Sequence, residues 1–356
     1  MTKKNKTLLI ILFLQSSLVF ITWIFLNKPV EVTPQTSLLD ITLDQVTKVE
    51  ITSMDNDNKT SSVLLEKTAD NWVLPKSDDF SAQKDAVDKL LTPFFDAHVA
   101  DPITVTDANH APLSVAQNNF DRKLQITADK KTVTLFIGRG KHNTANVRRS
   151  GEKKVYQVKG ISVWSVNAKA SNYIDTALSD ISTSNLQSAT LTNPNGTIEF
   201  AKVDDKWTIP TMVPQANLHD KTADSKNKNP AKPAPDDAKI SSFISTLANL
   251  KITNPVGKQV KDDFGFSNGT TIVLKGQKND EPFTVKFVIG AKTDTYRYIQ
   301  KDGMEHIVTV SNSSAEPATK KIASDFISDP SQKTAPPVQS KLPAETGGLP
   351  PGMMMQ

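Results

Sequence analysis

The sequence predicts an α+β protein, with an N-terminal transmembrane helix followed by two similar α+β modules from an internal duplication. Each module reads as antiparallel β-hairpins and a meander with one amphipathic helix. Three observations carry this reading. Thr7–Leu26 spans 20 residues (26 − 7 + 1) without a charged side chain. Trp72–Pro75 returns as Trp207–Pro210, 135 residues on (207 − 72). Val133–Gly138 returns as Val285–Gly290, 152 residues on (285 − 133).

Residues 1–6 form a stub carrying Lys3, Lys4 and Lys6. The apolar run at 7–26 is long enough, at about 1.5 Å per residue, to cross roughly 30 Å of hydrocarbon as a helix. Gln15, Ser16, Ser17 and Thr22 interrupt it, and a helix tolerates small hydroxyls because they bond back to the preceding turn. Trp23 suits the interfacial belt. A cleavable signal has a shorter apolar core and a small-x-small site, whereas this run is followed by Asn27-Lys28-Pro29-Val30-Glu31. The lysine bias places the N-terminus in the cytoplasm. The expected localisation is the bacterial inner (cytoplasmic) membrane, single-pass, with the bulk of the chain extracytoplasmic.

Residues 27–37 are a spacer in which Pro29 and Pro34 disfavour helix. The first module, 38–178, opens with the alternating runs Val46–Ile51 and Ser62–Lys67 around an Asp/Asn turn at Met54–Lys59, a hairpin pattern. Asn71–Pro75 closes it. Ala82–Phe95 has apolar residues at helical spacing. Strands follow at Lys123–Thr127 and Thr132–Ile137, with Gly138 ending the pair, then a hairpin of Asn146–Arg149 and Val155–Val158. Val163–Ile174 reads as helical.

The second module, 179–327, repeats the order. Leu186–Leu191 and Thr197–Val203 form a hairpin around Asn193–Gly196, and Ala238–Leu250 carries one apolar stripe. Asp101-Pro102-Ile103 answers to Asn254-Pro255-Val256 at an offset of 153 (255 − 102). The offset grows through an insertion at 215–236, rich in Lys, Asp, Asn and Pro, which reads as a solvated loop. Thr295–Ile299, Glu305–Thr309 and a helix at Ala315–Ile327 complete the unit. Residues 328–356, rich in Pro and Gly, read as a disordered tail ending in Met353–Met355.

Composition narrows function. The formal charge is +4, most of it from the three stub lysines, so a nearly balanced ectodomain gives no case for nucleic acid. The chain has no cysteine, which excludes disulfides, thiolate metal sites and cysteine nucleophiles. His98, His110, His142, His219 and His306 show no metal-ligand spacing. Asp55–Asn58 lacks the glycine and glutamate of a calcium loop. Gly138–Lys141 lacks the phosphate-loop frames, and Gly290-Ala291-Lys292 stands in the same place in the second copy, which favours a shared turn. Arg148-Arg149 reads as an exposed pair. Trp72 and Trp207, at equivalent junctions, read as core anchors rather than sugar platforms. No nucleophile elbow or Ser-x-x-Lys set is evident, so no catalytic, cofactor or metal residue is assigned and no enzyme is expected.

The W-x-[LI]-P junctions, the helix after each, the phrase Lys261–Leu274, the Ile289-Gly290 strand end and the Tyr296–Ile299 hairpin together resemble a bacterial envelope family of unknown function, numbered 4340. The likeness covers about Leu38–Ile327, although Asn119-Phe120 lacks the glycine of the second copy's Phe-Gly phrase. The resemblance implies a membrane-anchored extracytoplasmic protein, often encoded beside ABC transporters of the gliding-motility or export type. The expected function is therefore a non-enzymatic accessory or scaffold subunit of a membrane complex. Its partners would be integral membrane subunits of an ABC-type transporter, reached through the Thr7–Leu26 anchor. The alternative is an envelope-glycan or small-ligand module using the cleft between the two repeats.

Overall fold

The computed structural model describes residues 3–26, 36–55, 57–69, 71–141, 143–179, 181–212 and 234–328. The spacer at 27–35, residues 213–233 of the insertion, the tail from 329 onward, His142 and His219 lie outside the described residues. The protein is mixed α+β, with four α-helices and three sheets among the described residues. The chain divides into the units Met1–Asp175 and Thr176–Gln356.

Helix α1 (Lys3–Leu26) is 24 residues long, with side chains described at Asn5 and 11–23. Its described large apolar side chains face outward: Phe13 is 75 % exposed and Leu18 69 %. Ser17 donates to the Phe13 carbonyl at 2.8 Å and Thr22 to that of Leu18 at 2.6 Å, the back-bonding expected of hydroxyls in such a run. Among the described residues, which in α1 carry side chains only at Asn5 and 11–23, no helix is long and apolar enough to cross a membrane.

In the first unit the chain continues through β1 (Thr36–Ser37), β2 (Val46–Met54), β3 (Thr60–Thr68), β4 (Asn71–Leu74), β5 (Phe80–Ala82), α2 (Lys84–Phe95) and β6 (His98–Val99). It then forms β7 (Arg122–Ala128), β8 (Lys131–Arg139), β9 (Thr144–Arg149) and β10 (Val155–Lys159). Strands β1 and β6 make a two-stranded ribbon. The others form one antiparallel sheet in the order β10-β9-β8-β7-β2-β3-β4-β5. The first turn is an Asx turn: the Asp55 carboxylate accepts from the backbone of Asp57 and Lys59 at 3.0 and 2.8 Å. A bulge between Val46 and Lys48 against β7 puts Val46 and Val49, three residues apart, both into the core. Val87, Leu90, Leu91 and Phe94 of α2 are buried. The opposite face is covered in part by the chain between β6 and β7, where Val115 and Phe120 pack on Phe136 and Val155.

The second unit runs β11 (Leu186–Asn193), β12 (Gly196–Val203), β13 (Lys206–Thr208), α3 (Asp237–Ala248), β14 (Ile252–Gly257), β15 (Thr270–Lys278), β16 (Glu281–Lys292), β17 (Tyr296–Lys301), β18 (Ile307–Ser311) and α4 (Asn312–Lys320). Its sheet has the order β13-β12-β11-β15-β16-β17-β18-β14. A bulge between Leu186 and Ser188 against β15 again buries two residues spaced by three, Leu186 and Ala189. Pro255 sits in the edge strand β14, where a missing donor is tolerated. Asp236 caps α3 by accepting from Lys239 N at 3.2 Å, and Asp237 accepts from Trp207 N at 2.7 Å, tying α3 to the edge strand β13. Phe200, Phe243 and Phe326 meet with ring centroids 5.0 to 6.1 Å apart.

Several elements depart from the sequence expectation. Val163–Ile174 contains no α-helix, only a 3-10 turn at Ala170–Asn172. Its polar groups make local bonds instead: Asn167 Oδ1 accepts from Lys169 N at 3.0 Å and Tyr173 Oη donates to Asn167 O at 2.7 Å. Gly138 lies inside β8 rather than ending it. The last helix stops at Lys320 because Lys321 and Ile322 turn extended and the Asp325 carboxylate takes the Ile322 N–H at 3.1 Å. The end of the insertion is bonded in place: Ser328 N donates to Ala234 O and Asp236 N to Phe326 O, each at 2.8 Å.

Candidate functional site

The pleat of the first sheet decides what Arg148 does. Leu135, Ile137 and Val147 alternate onto the buried α2 side, so Phe136 and its register partner Arg148 fall on the other face. There the guanidinium lies 4.7 Å from the Phe136 ring centroid and donates to Val115 O, Arg149 O and Glu152 O at 2.7, 3.3 and 3.1 Å. Burial pushes its pKa below the usual arginine range. Arg149 reaches the carbonyls of Leu38 and Ser37 at 2.7 and 2.9 Å. The expectation of an exposed arginine pair is corrected: Arg148 is 6 % exposed, and both side chains staple loops to the sheet. Trp72 and Trp207 are buried. His110 is buried with Nε2 2.9 Å from Lys153 O, and exposed His98 places Nδ1 2.9 Å from Asp96 O. Among the described residues no cluster of His, Asp or Glu is arranged to hold a metal.

A concave pocket of about 450 Å³ opens in the first unit beside Trp164. The indole is 70 % exposed and is presented by a serine-built turn. Ser162 Oγ accepts from Trp164 N at 3.3 Å, and Ser165 Oγ donates to Ser162 O at 2.7 Å. The Arg139 guanidinium lies 5.3 Å from the ring centroid. Arg122 also lines the pocket, its Nε donating to Val166 O at 2.8 Å and Nη1 to Asp121 O at 2.7 Å. Burial lowers the Arg122 pKa and Asp121 opposes the shift. Asp121 also accepts from Arg139 N at 2.9 Å. Sequence reading missed this pocket because Trp164 sat within a segment read as helix; the Ser162–Ser165 spacing around it was the usable signal.

In the second unit the phrase at Lys261–Leu274, Ile289-Gly290 and Tyr296–Ile299 converge; Gly290, expected at a strand end, lies inside β16, as Gly138 lies inside β8. Phe264 stacks on Tyr298 at 4.2 Å between centroids and meets Phe266 edge-on at 6.1 Å. The loop crosses so close to β16 that a Cβ on Gly290 would stand 2.2 Å from Phe264 O. The matching Gly138 would meet Leu113 O at 1.9 Å. Both glycines are there to let a covering loop press on the sheet.

The family described as Domain of unknown function (DUF4340) matches residues 72–268, more than half of the chain. The chain belongs to the DUF4340 family. The DUF4340 match begins at Trp72 itself, takes in both W-x-[LI]-P junctions and the Phe264-Gly265 phrase, and stops at Asn268. It is narrower than Leu38–Ile327, leaving Gly290 and Tyr296–Ile299 outside. No match was found among curated proteins, and none among solved structures.

Proposed function

We propose that this DUF4340 protein is a non-enzymatic, single-span envelope protein, an extracytoplasmic accessory subunit of a larger membrane complex of the ABC-transporter type. The observation that carries the proposal is α1. Three lysines precede an uncharged run whose described apolar side chains point outward and whose hydroxyls at 17 and 22 are bonded to their own helix. Each unit also ends in edge strands, β10 and β13 among them, which suit strand-addition by a partner.

The same reading takes the two units as copies of one ancestor. Supporting it are seven strands in a shared order, a bulge at the same point of β2 and β11, and the loop-crossed glycines at 138 and 290. Matching losses of stability in Gly138→Ala and Gly290→Ala would agree with it; a costly change in one and a neutral one in the other would not.

The deciding experiment is purification of the tagged full-length protein in mild detergent, with cross-linking mass spectrometry of what co-purifies. Stoichiometric membrane subunits, lost when Thr7–Leu26 is replaced by an unrelated span, are the expected result. A solitary protein, or one that leaves the membrane in carbonate, would refute the proposal.

A further inference from the structure

We propose that the pocket beside Trp164 is a binding site for an acidic saccharide, a sugar ring carrying a carboxylate. It lies within the first unit, and its test does not depend on any membrane partner. An indole left 70 % exposed keeps a large apolar face in water. Here that face is fixed by the serine turn and tied through Arg122 and Val166 O to the sheet. A platform already held in place loses little freedom when a ligand stacks on it. The C–H face of a pyranose is a flat apolar surface that matches an indole, while its rim of hydroxyls needs donors and acceptors at the edge of the platform.

The pocket supplies that rim. Asp55 and Asp121 are acceptors on its lining, Lys59 and Arg139 are donors, and the Ser53–Ser61 hydroxyl pair, 2.6 Å apart, can do either. Three cations, Lys59, Arg122 and Arg139, face two carboxylates, leaving a net positive charge that favours an anionic sugar over a neutral one. A volume of about 450 Å³ falls in the range of roughly 300–1,000 Å³ usual for small-ligand sites. The lining mixes Met54, Val163 and Trp164 with charged and hydroxyl side chains, a combination suited to a sugar's apolar face and polar rim.

The test is isothermal titration calorimetry of the full-length protein with trigalacturonic acid and with maltotriose. Saturable binding of trigalacturonic acid, at least tenfold tighter than of maltotriose, is expected. Trp164→Ala should weaken it by tenfold or more without moving the thermal midpoint, because the side chain is exposed, and Trp164→Phe should recover part of the loss. Arg139→Gln should narrow the gap between the two sugars. Equal affinity for both probes would overturn the acidic assignment, and binding unchanged in Trp164→Ala would overturn the platform. Absence of binding to either sugar, or a protein captured by a photo-cross-linker at position 164 in their place, would overturn the site.

Discussion

Replacing Gly290 with alanine tests the account of how the second unit closes. The new methyl carbon would stand 2.2 Å from Phe264 O and 2.9 Å from two atoms of the Phe266 ring. Real Cβ contacts are near 3.4 Å or longer, so either β16 or the loop carrying Phe264 must move by more than 1 Å. The obstacle is backbone, and the stack of Phe264 on Tyr298 at 4.2 Å moves with it. Overpacking of this kind typically costs about 1–3 kcal/mol; with a rigid carbonyl as the clash, the upper half of that range is expected. At roughly 2–4 °C per kcal/mol for a unit of this size, the thermal midpoint should fall by about 4–12 °C. The assay is reversible urea unfolding followed by circular dichroism, with a calorimetric scan beside it. Gly303, which has a φ of +77° and no neighbour within 4 Å of an added Cβ, is the control for backbone strain alone, worth of order 1 kcal/mol. If Gly290→Ala unfolds within 0.5 kcal/mol of the native protein, the loop does not press on β16 as described.

Further outcomes follow from other contacts. Arg148→Ala should destabilise the first unit by about 3 kcal/mol, since three carbonyls lose a charged donor, whereas Lys48→Ala, in an exposed pair with Glu66, should change urea unfolding by under 0.5 kcal/mol. Phe326→Ala should cost about 3–5 kcal/mol in the same assay. Lys320 and Lys292 hold the Glu316 carboxyl down at about 2, below its usual 4.5; a depressed carboxylate stabilises above its unfolded pKa. The stability gap between the native protein and Glu316→Gln should therefore be present at neutral pH, shrink as pH falls below about 4.5 and vanish near 2. Burial pushes Tyr173 up to about 12 from 10, so the native protein should lose stability relative to Tyr173→Phe between pH 10 and 12 in alkaline titrations.

The hairpins were legible in the sequence because alternation and Asp/Asn turns act over a few residues, and β2–β3 and β11–β12 appear where that pattern puts them. What stayed hidden depends on distant partners. Arg148 looks like a surface residue until the loop bearing Val115 is laid over Phe136. Gly138 looks like a strand end until Leu113 O is seen against it. Val163–Ile174 has helical spacing, but Ser162, Ser165 and Asn167 offer the backbone nearer partners than a helix would. The pocket beside Trp164 joins the Asp55 turn, the start of β7, the end of β8 at Arg139 and this segment, four stretches that no short-range pattern connects.

The staple between Ala234–Asp236 and Phe326–Ser328 also sets a timetable for synthesis. The first unit's sheet has all its strands once Lys159 has been made. In the second unit β14 must wait for β18, and the aromatic cluster over α3 lacks Phe326 until the last described turn is formed. From Gly257 until β18 is made the unit carries an unpaired strand, and until Phe326 is made an unfilled apolar face, the state in which chains most readily associate wrongly. A chain released before residue 326 should therefore aggregate or be degraded, while one released just after 175 should not.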